Sequence, residues 1–306
     1  MILLAEHFVR APQWTWYILI YFFFAGLAGG SYALATLLRL AGEPRDEAAA
    51  RIGFYASFVA TLVCPVVLTA DLGVSWSRFW HMLVDVTPGE TALNFKVLSP
   101  MSVGVWALLV FGFFSAISAL DTWASDRGGR PDGLLGRVVG RAFNVLGGIV
   151  GLFVASYTGV LLSVSNQPVW SDTWALGGLF LASGLSGSAA AITLLVRYRP
   201  DAAFSLGRLH MADGYFSILE LVLLVAFFIT VGAAGTSGRT VALLPLWALA
   251  LVGIASSLVA ARGQMRMGPS GGAAVITRAG TNTLVVSLLV LLGVLALRAA
   301  VIFSAQ

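Results

Sequence analysis

The chain has 306 residues, of which 58% are hydrophobic and 10% charged, against about 25% charged in an average soluble domain. So much apolar surface needs lipid as its solvent, which excludes a water-soluble globular protein. The formal net charge of +4 comes from arginines spread over several segments rather than clustered with aromatic platforms; that pattern excludes nucleic acid as a partner and leaves anionic membrane lipid as a sufficient one.

Hydrocarbon about 30 Å thick takes roughly 20 apolar residues per helix. On that scale the sequence divides into eight predicted transmembrane helices, at about 15–38, 52–75, 100–120, 141–164, 174–196, 212–233, 240–261 and 281–303. Outer-membrane strands would need runs of about ten residues alternating apolar and polar. Stretches such as Leu219–Phe228 do not alternate. The segment Met1–Gln13 lacks a basic start, a short apolar core and a small-residue cleavage site, so the first span is expected to remain as an anchor.

Thirteen of the 18 lysines and arginines follow spans 1, 3, 5 and 7: Arg39, Arg45, Arg51; Arg127, Arg130, Arg137, Arg141; Arg197, Arg199, Arg208; and Arg262, Arg266, Arg278. Arg10, Arg78, Lys96, Arg239 and Arg298 are counted on the other side. Cytoplasmic loops hold the excess of such residues, so both termini are predicted to be periplasmic, in a bacterial cytoplasmic membrane.

A weak internal repeat pairs Gly26–Arg39 with Gly184–Arg197, identical at six of fourteen positions. Both segments run from outside to inside, so the expected architecture is all-α, with two parallel four-helix bundles, residues 1–170 and 171–306. Shared small-residue packing, of which Gly26-xxx-Gly30 is an example, produces the same similarity without common ancestry.

Ionisable groups within a span are expensive and tend to line a pathway or pocket. Asp71, near the outer end of span 2, is placed to take a proton from a bound hydroxyl and pass it outward; pairing with Arg78, or capping the interfacial stretch Trp76–His81, is the alternative. Tyr157 on span 4 has comparable depth, and its hydroxyl needs a partner there, either a ligand oxygen or a neighbouring helix. At the entry to span 1, Trp14, Trp16 and Tyr17 read as an interfacial belt. Tyr21 lies a turn deeper, where it can share a face with a bound headgroup. On span 6, His210, Asp213, Ser217 and Glu220 follow i, i+3, i+7, i+10 spacing and form one helical stripe from the cytoplasmic end toward mid-membrane. That stripe reads as a proton half-channel, although His210 and Asp213 are near enough to the interface to be solvated.

Several chemistries lose support. His7, His81 and His210 lie outside spans or at their ends, which disfavours a transmembrane haem. Cys64 is the single cysteine, so no internal disulfide or all-cysteine metal site is expected. No Walker loop, HExxH or GxSxG occurs.

The order of these pieces resembles the NrfD/polysulfide-reductase membrane-subunit family. The carrying segments are Trp14–Gly30, Asp71-Leu-Gly73 with Arg78-Phe79, Ser99–Ala107, Ser156-Tyr-Thr-Gly159 continuing to Leu162, and Pro168-Val-Trp170. They cover somewhat more than half of the chain. The resemblance implies a membrane anchor without its own haem or metal that binds menaquinol or ubiquinol near the periplasmic face. It implies electron exchange with a four-cluster [4Fe-4S] ferredoxin-like subunit, and beyond it with a molybdopterin oxidoreductase or a multihaem cytochrome. Carried over residue by residue, the quinone pocket holds Tyr157 and the position of Tyr21, with Trp14, Tyr17, Asp71, Arg78 and His81 around it. Some members have histidine in place of Tyr21 and asparagine in place of Ile18. A tyrosine is a poorer base near pH 7, which leaves Asp71 as the better proton acceptor. The expected function is therefore quinol oxidation, or quinone reduction, within a larger oxidoreductase, with Glu220, Asp213, His210 and Ser217 as a proton pathway. A secondary transporter coupled to an intramembrane carboxylate is the rival reading.

Overall fold

The computed structural model describes residues 10–89, 92–128, 135–267 and 272–306, the side chains of 137, 264–267 and 272–281 excepted. His7 and Arg130 lie outside the described residues, as do the side chains of Arg137, Arg266 and Arg278. The helices are α1 (Trp16–Ala41), α2 (Glu47–Asp71), α3 (Pro100–Gly128), α4 (Arg137–Ser163), α5 (Leu176–Val196), α6 (Leu206–Ala233), α7 (Gly238–Val241), α8 (Leu244–Met267) and α9 (Gly272–Phe303). All but the single-turn α7 contain a stretch long and apolar enough to cross a membrane, so the eight expected spans are present. Among the described residues the only β pairing is the isolated bridge Val84–Leu93.

The helices do not stop where the apolar windows stop. α2 begins at Glu47, five residues before the predicted edge, because polar residues at the arginine-rich end extend the helix and pair with one another. Glu47 binds both Arg39 (2.7 Å) and Arg51 (3.1 Å), and Arg51 reaches Asp126 at the end of α3 (2.5 Å). Asp46 is fully buried and receives Arg208 and the Ser205 hydroxyl (2.7 Å) from the start of α6. These contacts gather the ends of α1, α2, α3 and α6 on one side of the molecule. At its other end α2 stops at Asp71 rather than at 75, where Gly73 takes φ +56° and the chain enters the 3-10 turn Gly73–Met82.

α1 and α5 form the centre. Their apolar windows are 83% and 78% buried, against 28% for α6, which faces lipid along much of its surface. α1 packs on α2, α4, α5 and α9, while α5 packs on α1, α4, α6 and α9. Lipid tails are as apolar as leucine, so helices associate in membranes through close packing and hydrogen bonds rather than hydrophobic burial. The sequence supplies small residues where α1 meets its neighbours. A side chain at Gly30 would collide with Ser188 and sit 2.8 Å from the Gly184 carbonyl, and one at Gly29 would collide with the Gly151 carbonyl of α4. Ser188 donates to the Leu27 carbonyl across the same contact (3.1 Å). The two segments related by the internal repeat therefore touch each other, glycine against glycine, at the middle of the molecule.

Replacing Gly29 by alanine forces a methyl into a backbone carbonyl that has no rotamer to yield. The expected cost is about 1–3 kcal/mol, read as a lower unfolding midpoint in detergent. Gly232→Ala, where nothing lies within 4 Å, should leave the midpoint unchanged or raise it slightly.

Candidate functional site

Two polar regions flank the start of α1, one on each side. On the side facing α2, α3 and α4, Tyr21 is buried in one core cluster with Cys64 of α2 and Phe111 of α3. Among the described residues nothing hydrogen-bonds to the Tyr21 hydroxyl. Tyr157 donates to the Pro100 carbonyl at the first turn of α3, and its ring stacks on Phe153 (5.7 Å). The ring fits there because position 104 is glycine; any side chain would strike it. The same turn of α3 also holds the preceding loop, since Ser102 and Trp106 both donate to the Asn94 carbonyl (3.2 Å each). The segment Ser99–Ala107 thus clamps the outer loop and shapes the wall behind Tyr157.

The other outer residues are more dispersed. Asp71 is exposed as the last residue of α2, and no ion pair joins it to Arg78 among the described residues. Arg78 is exposed on the 3-10 turn, and His81 stands edge-on to Trp80 (4.2 Å) with its carbonyl held by Asn94 (2.9 Å). Farther along this loop, the Thr87 hydroxyl and amide hold the Asp85 carboxyl below the usual carboxylate range. Tyr17 is exposed, whereas Trp14 turns toward α5 and α9, where it packs on Trp170 (5.2 Å) and Phe22 (5.9 Å). Trp170 is itself fully buried and donates to the Val301 carbonyl (2.7 Å). Pro168-Val-Trp170 therefore ties the α4–α5 connection to the end of α9. Gly159 belongs with it as a packing residue, because a side chain there would strike the Leu176 carbonyl of α5.

On the other side of α1 lies the α6 stripe. His210, Asp213, Ser217 and Glu220 are all buried, so the interior rather than the interface surrounds His210 and Asp213. Ser186 of α5 donates to Asp213 (2.6 Å) and lies 3.3 Å from the Ser217 hydroxyl. Ser257 of α8 faces the same carboxylate without meeting hydrogen-bond geometry. Glu220 joins Ser186, Gly253 and Gly293 around a narrow void between α6, α8 and α9.

Arg298 completes this line and corrects the charge count, which placed it on the periplasmic side. It is fully buried. Its guanidinium donates to the Phe22 carbonyl of α1 (3.0 Å), the Phe180 carbonyl (3.0 Å) and the Ser183 hydroxyl (3.2 Å) of α5, and it lies over the Phe180 ring (4.8 Å). Gly26 makes room for it. Among the described residues no hydrogen bond or ion pair joins Arg298 to Glu220. A charge five residues from the end of α9 looked interfacial by length; only the packing of α1, α5 and α9 carries it inward. The signal available in the sequence was a lone arginine within an otherwise apolar span, facing a lone glutamate on another.

Chemically, the first region offers the phenol of Tyr21, without a hydrogen bond among the described residues, and that of Tyr157, groups suited to hydrogen-bonding an oxygen-bearing guest. The second offers carboxylates, hydroxyls and a guanidinium in series.

The family model described as Polysulphide reductase, NrfD matches residues 4–306. Among curated proteins, the chain is similar to Protein NrfD of Escherichia coli (strain K12), 28% identical over 258 residues that cover 78% of this chain and 77% of that one. It is also similar to the C chain of polysulfide reductase from Wolinella succinogenes, 28% identical over 248 residues, covering 75% and 73%.

A double-mutant cycle tests the Arg298–Glu220 interaction. Arg298→Met should destabilise the protein more when Glu220 is present than in a Glu220→Gln background, with a coupling energy of about 0.5–3 kcal/mol. Unfolding in detergent measures it, and zero coupling would mean that the two groups are independent.

Proposed function

This chain belongs to the Polysulphide reductase, NrfD family, and on that footing we propose that it is the quinone-handling membrane subunit of a respiratory oxidoreductase. The observation that carries the reading is the Tyr21 side chain, buried in the core of the helix bundle with no hydrogen bond to its hydroxyl among the described residues. A quinone carbonyl, or a quinol hydroxyl, supplies the missing partner.

In this reading menaquinol or ubiquinol enters between α2, α3 and α4, and Tyr21 and Tyr157 orient the headgroup. Asp71 accepts the released proton at the outer end of α2, with Arg78 and His81 on the adjoining turn at the mouth. Tyr17 stands exposed at the entry of α1, whereas Trp14, packed on Trp170, supports the helix start from the other side. Electrons pass to a four-cluster [4Fe-4S] ferredoxin-like subunit docked on that face, and from it to a molybdopterin oxidoreductase or a multihaem cytochrome. The reverse flow reduces quinone. The line His210–Asp213–Ser217–Glu220, extended by Ser186 and Arg298, serves as a proton pathway through the other half of the chain.

The topology follows the same logic. The arginine-rich end, with its network of Arg39, Arg51 and Arg208, lies in the cytoplasm and both termini lie in the periplasm, as the charge bias of membrane proteins requires. Residues 1–170 form the half with the quinone pocket and residues 171–306 the half with the α6 stripe, joined where α1 meets α5.

Tyr21→Phe and Tyr157→Phe each remove one hydrogen bond while keeping the ring. Each should weaken binding of a fluorescent quinone analogue by about 3–10-fold, with the unfolding midpoint nearly unchanged in Tyr21→Phe and lowered in Tyr157→Phe, which leaves the Pro100 carbonyl without its donor. Wild-type affinity in both variants would sink the assignment.

A further inference from the structure

α5, α6 and α8 bring four buried, oxygen-bearing side chains together in the middle of the α6 stripe. Ser186 of α5 donates to the Asp213 carboxylate (2.6 Å) and lies 3.3 Å from the hydroxyl of Ser217, one turn farther along α6. Ser257 of α8 is the fourth. α8 runs antiparallel to α6, and the two meet where a side chain at Gly214 would strike Ala261. One turn along each helix, away from the arginine-rich end, Ser257 stands level with Ser217. It shares one face of α8 with Ala261, Ile254, Gly253 and Ala250, and the last three line the void beside Glu220.

Two groups here lack the partners that buried polar groups normally find. The Ser257 hydroxyl is fully buried and makes no hydrogen bond among the described residues. Glu220, 2% exposed, lines the void together with Ser186. The charges are also uneven. Asp213 and Glu220 put two carboxylates into this interior, and α5 carries no charged residue. Arg298 is the one permanent cation near them among the described residues, and its guanidinium is committed to the Phe22 and Phe180 carbonyls and to Ser183. His210, buried one turn nearer the arginine-rich end, adds no charge while its ring is neutral. An unmatched carboxylate within a membrane is expensive, and a set of oxygens without nitrogen or sulfur is what hard cations take.

We propose that Asp213, Ser186, Ser217 and Ser257 form a binding site for a single alkali cation, with sodium as its ligand. One carboxylate and three hydroxyls from three helices surround the ion. Each hydroxyl offers it a lone pair, while Ser186 still donates its proton to Asp213. With the ion bound, the two carboxylates are matched by two positive charges, the ion and Arg298; a divalent ion would exceed that balance. α8 and α9 touch at Gly253 and Gly293 beside the void, so the narrow space favours sodium over potassium. Binding requires neither quinone nor proton movement, and the site therefore goes beyond the reading of this stripe as a proton pathway.

The test uses the protein purified in detergent without sodium and with no quinone added. Exchanging choline chloride for sodium chloride at constant ionic strength should raise the unfolding midpoint saturably, by about 2–4 °C at a tenfold excess over the dissociation constant. Radioactive sodium should be retained at a single ion per chain. Ser257→Ala should need about tenfold more sodium for the same rise, while its midpoint in choline matches wild type, because the hydroxyl it removes has no hydrogen bond to lose. Asp213→Asn should abolish both signals, and Gly232→Ala should keep both. A rise that potassium and choline produce equally, or a wild type that retains no sodium, overturns the proposal and leaves protons to balance the carboxylates. So does a Ser257→Ala variant that loses stability in choline yet keeps its sodium response, since the hydroxyl would then be a packing partner rather than a ligand. Either failure leaves the quinone reading intact, because analogue binding tests that pocket separately.

Discussion

Two short runs of glycine and serine hold α1 against α5, and both polar regions depend on that contact. Gly26 and Gly30 on one helix face Gly184 and Ser188 on the other at backbone distance. Close approach without side chains is the means by which helices gain dispersion energy in a medium that gives them no hydrophobic reason to associate. Because α1 is central, its two flanks look into different compartments of the interior. Tyr21 packs in one core cluster with Cys64 of α2, and the carbonyl of the next residue, Phe22, holds Arg298.

Polar groups in this interior are bound to one another rather than to lipid or solvent. Asp213 is held by Ser186, Arg298 by two carbonyls and Ser183, Tyr157 by Pro100, and Tyr32 by Ser118. Each such group would cost several kcal/mol if left unpaired in hydrocarbon, so their partners fix the rotation of each helix about its axis. Among the described residues the Ser257 hydroxyl and the Arg298 Nε depart from this pattern, buried without a hydrogen bond. Glu220 departs from it differently, since it faces a void and its nearest cation is engaged with the backbone.

Much of this was legible before folding. The spans followed from apolar length, and the α6 stripe followed from the i, i+3, i+7, i+10 spacing, which rotates four residues onto one face whatever the neighbours are. The motif Ser156-Tyr-Thr-Gly159 pointed to Tyr157, though not to its bond with Pro100 or to Gly104, which opens the space for its ring. Those relations join residues about fifty positions apart and leave no periodic trace.

What the amino-acid order determined by itself is the number of crossings, the face that α6 turns inward, and the side to which arginines gravitate, all properties of one helix in one solvent. What only the tertiary structure decided is which helices are neighbours. That choice sends Arg298 from an apparent helix end into the core, brings Tyr157 onto Pro100 and sets Trp14 against Trp170. The physical reason is that a bilayer fixes each helix's depth from its own composition, whereas lateral position is settled by small-residue contacts and hydrogen bonds between segments far apart in the sequence.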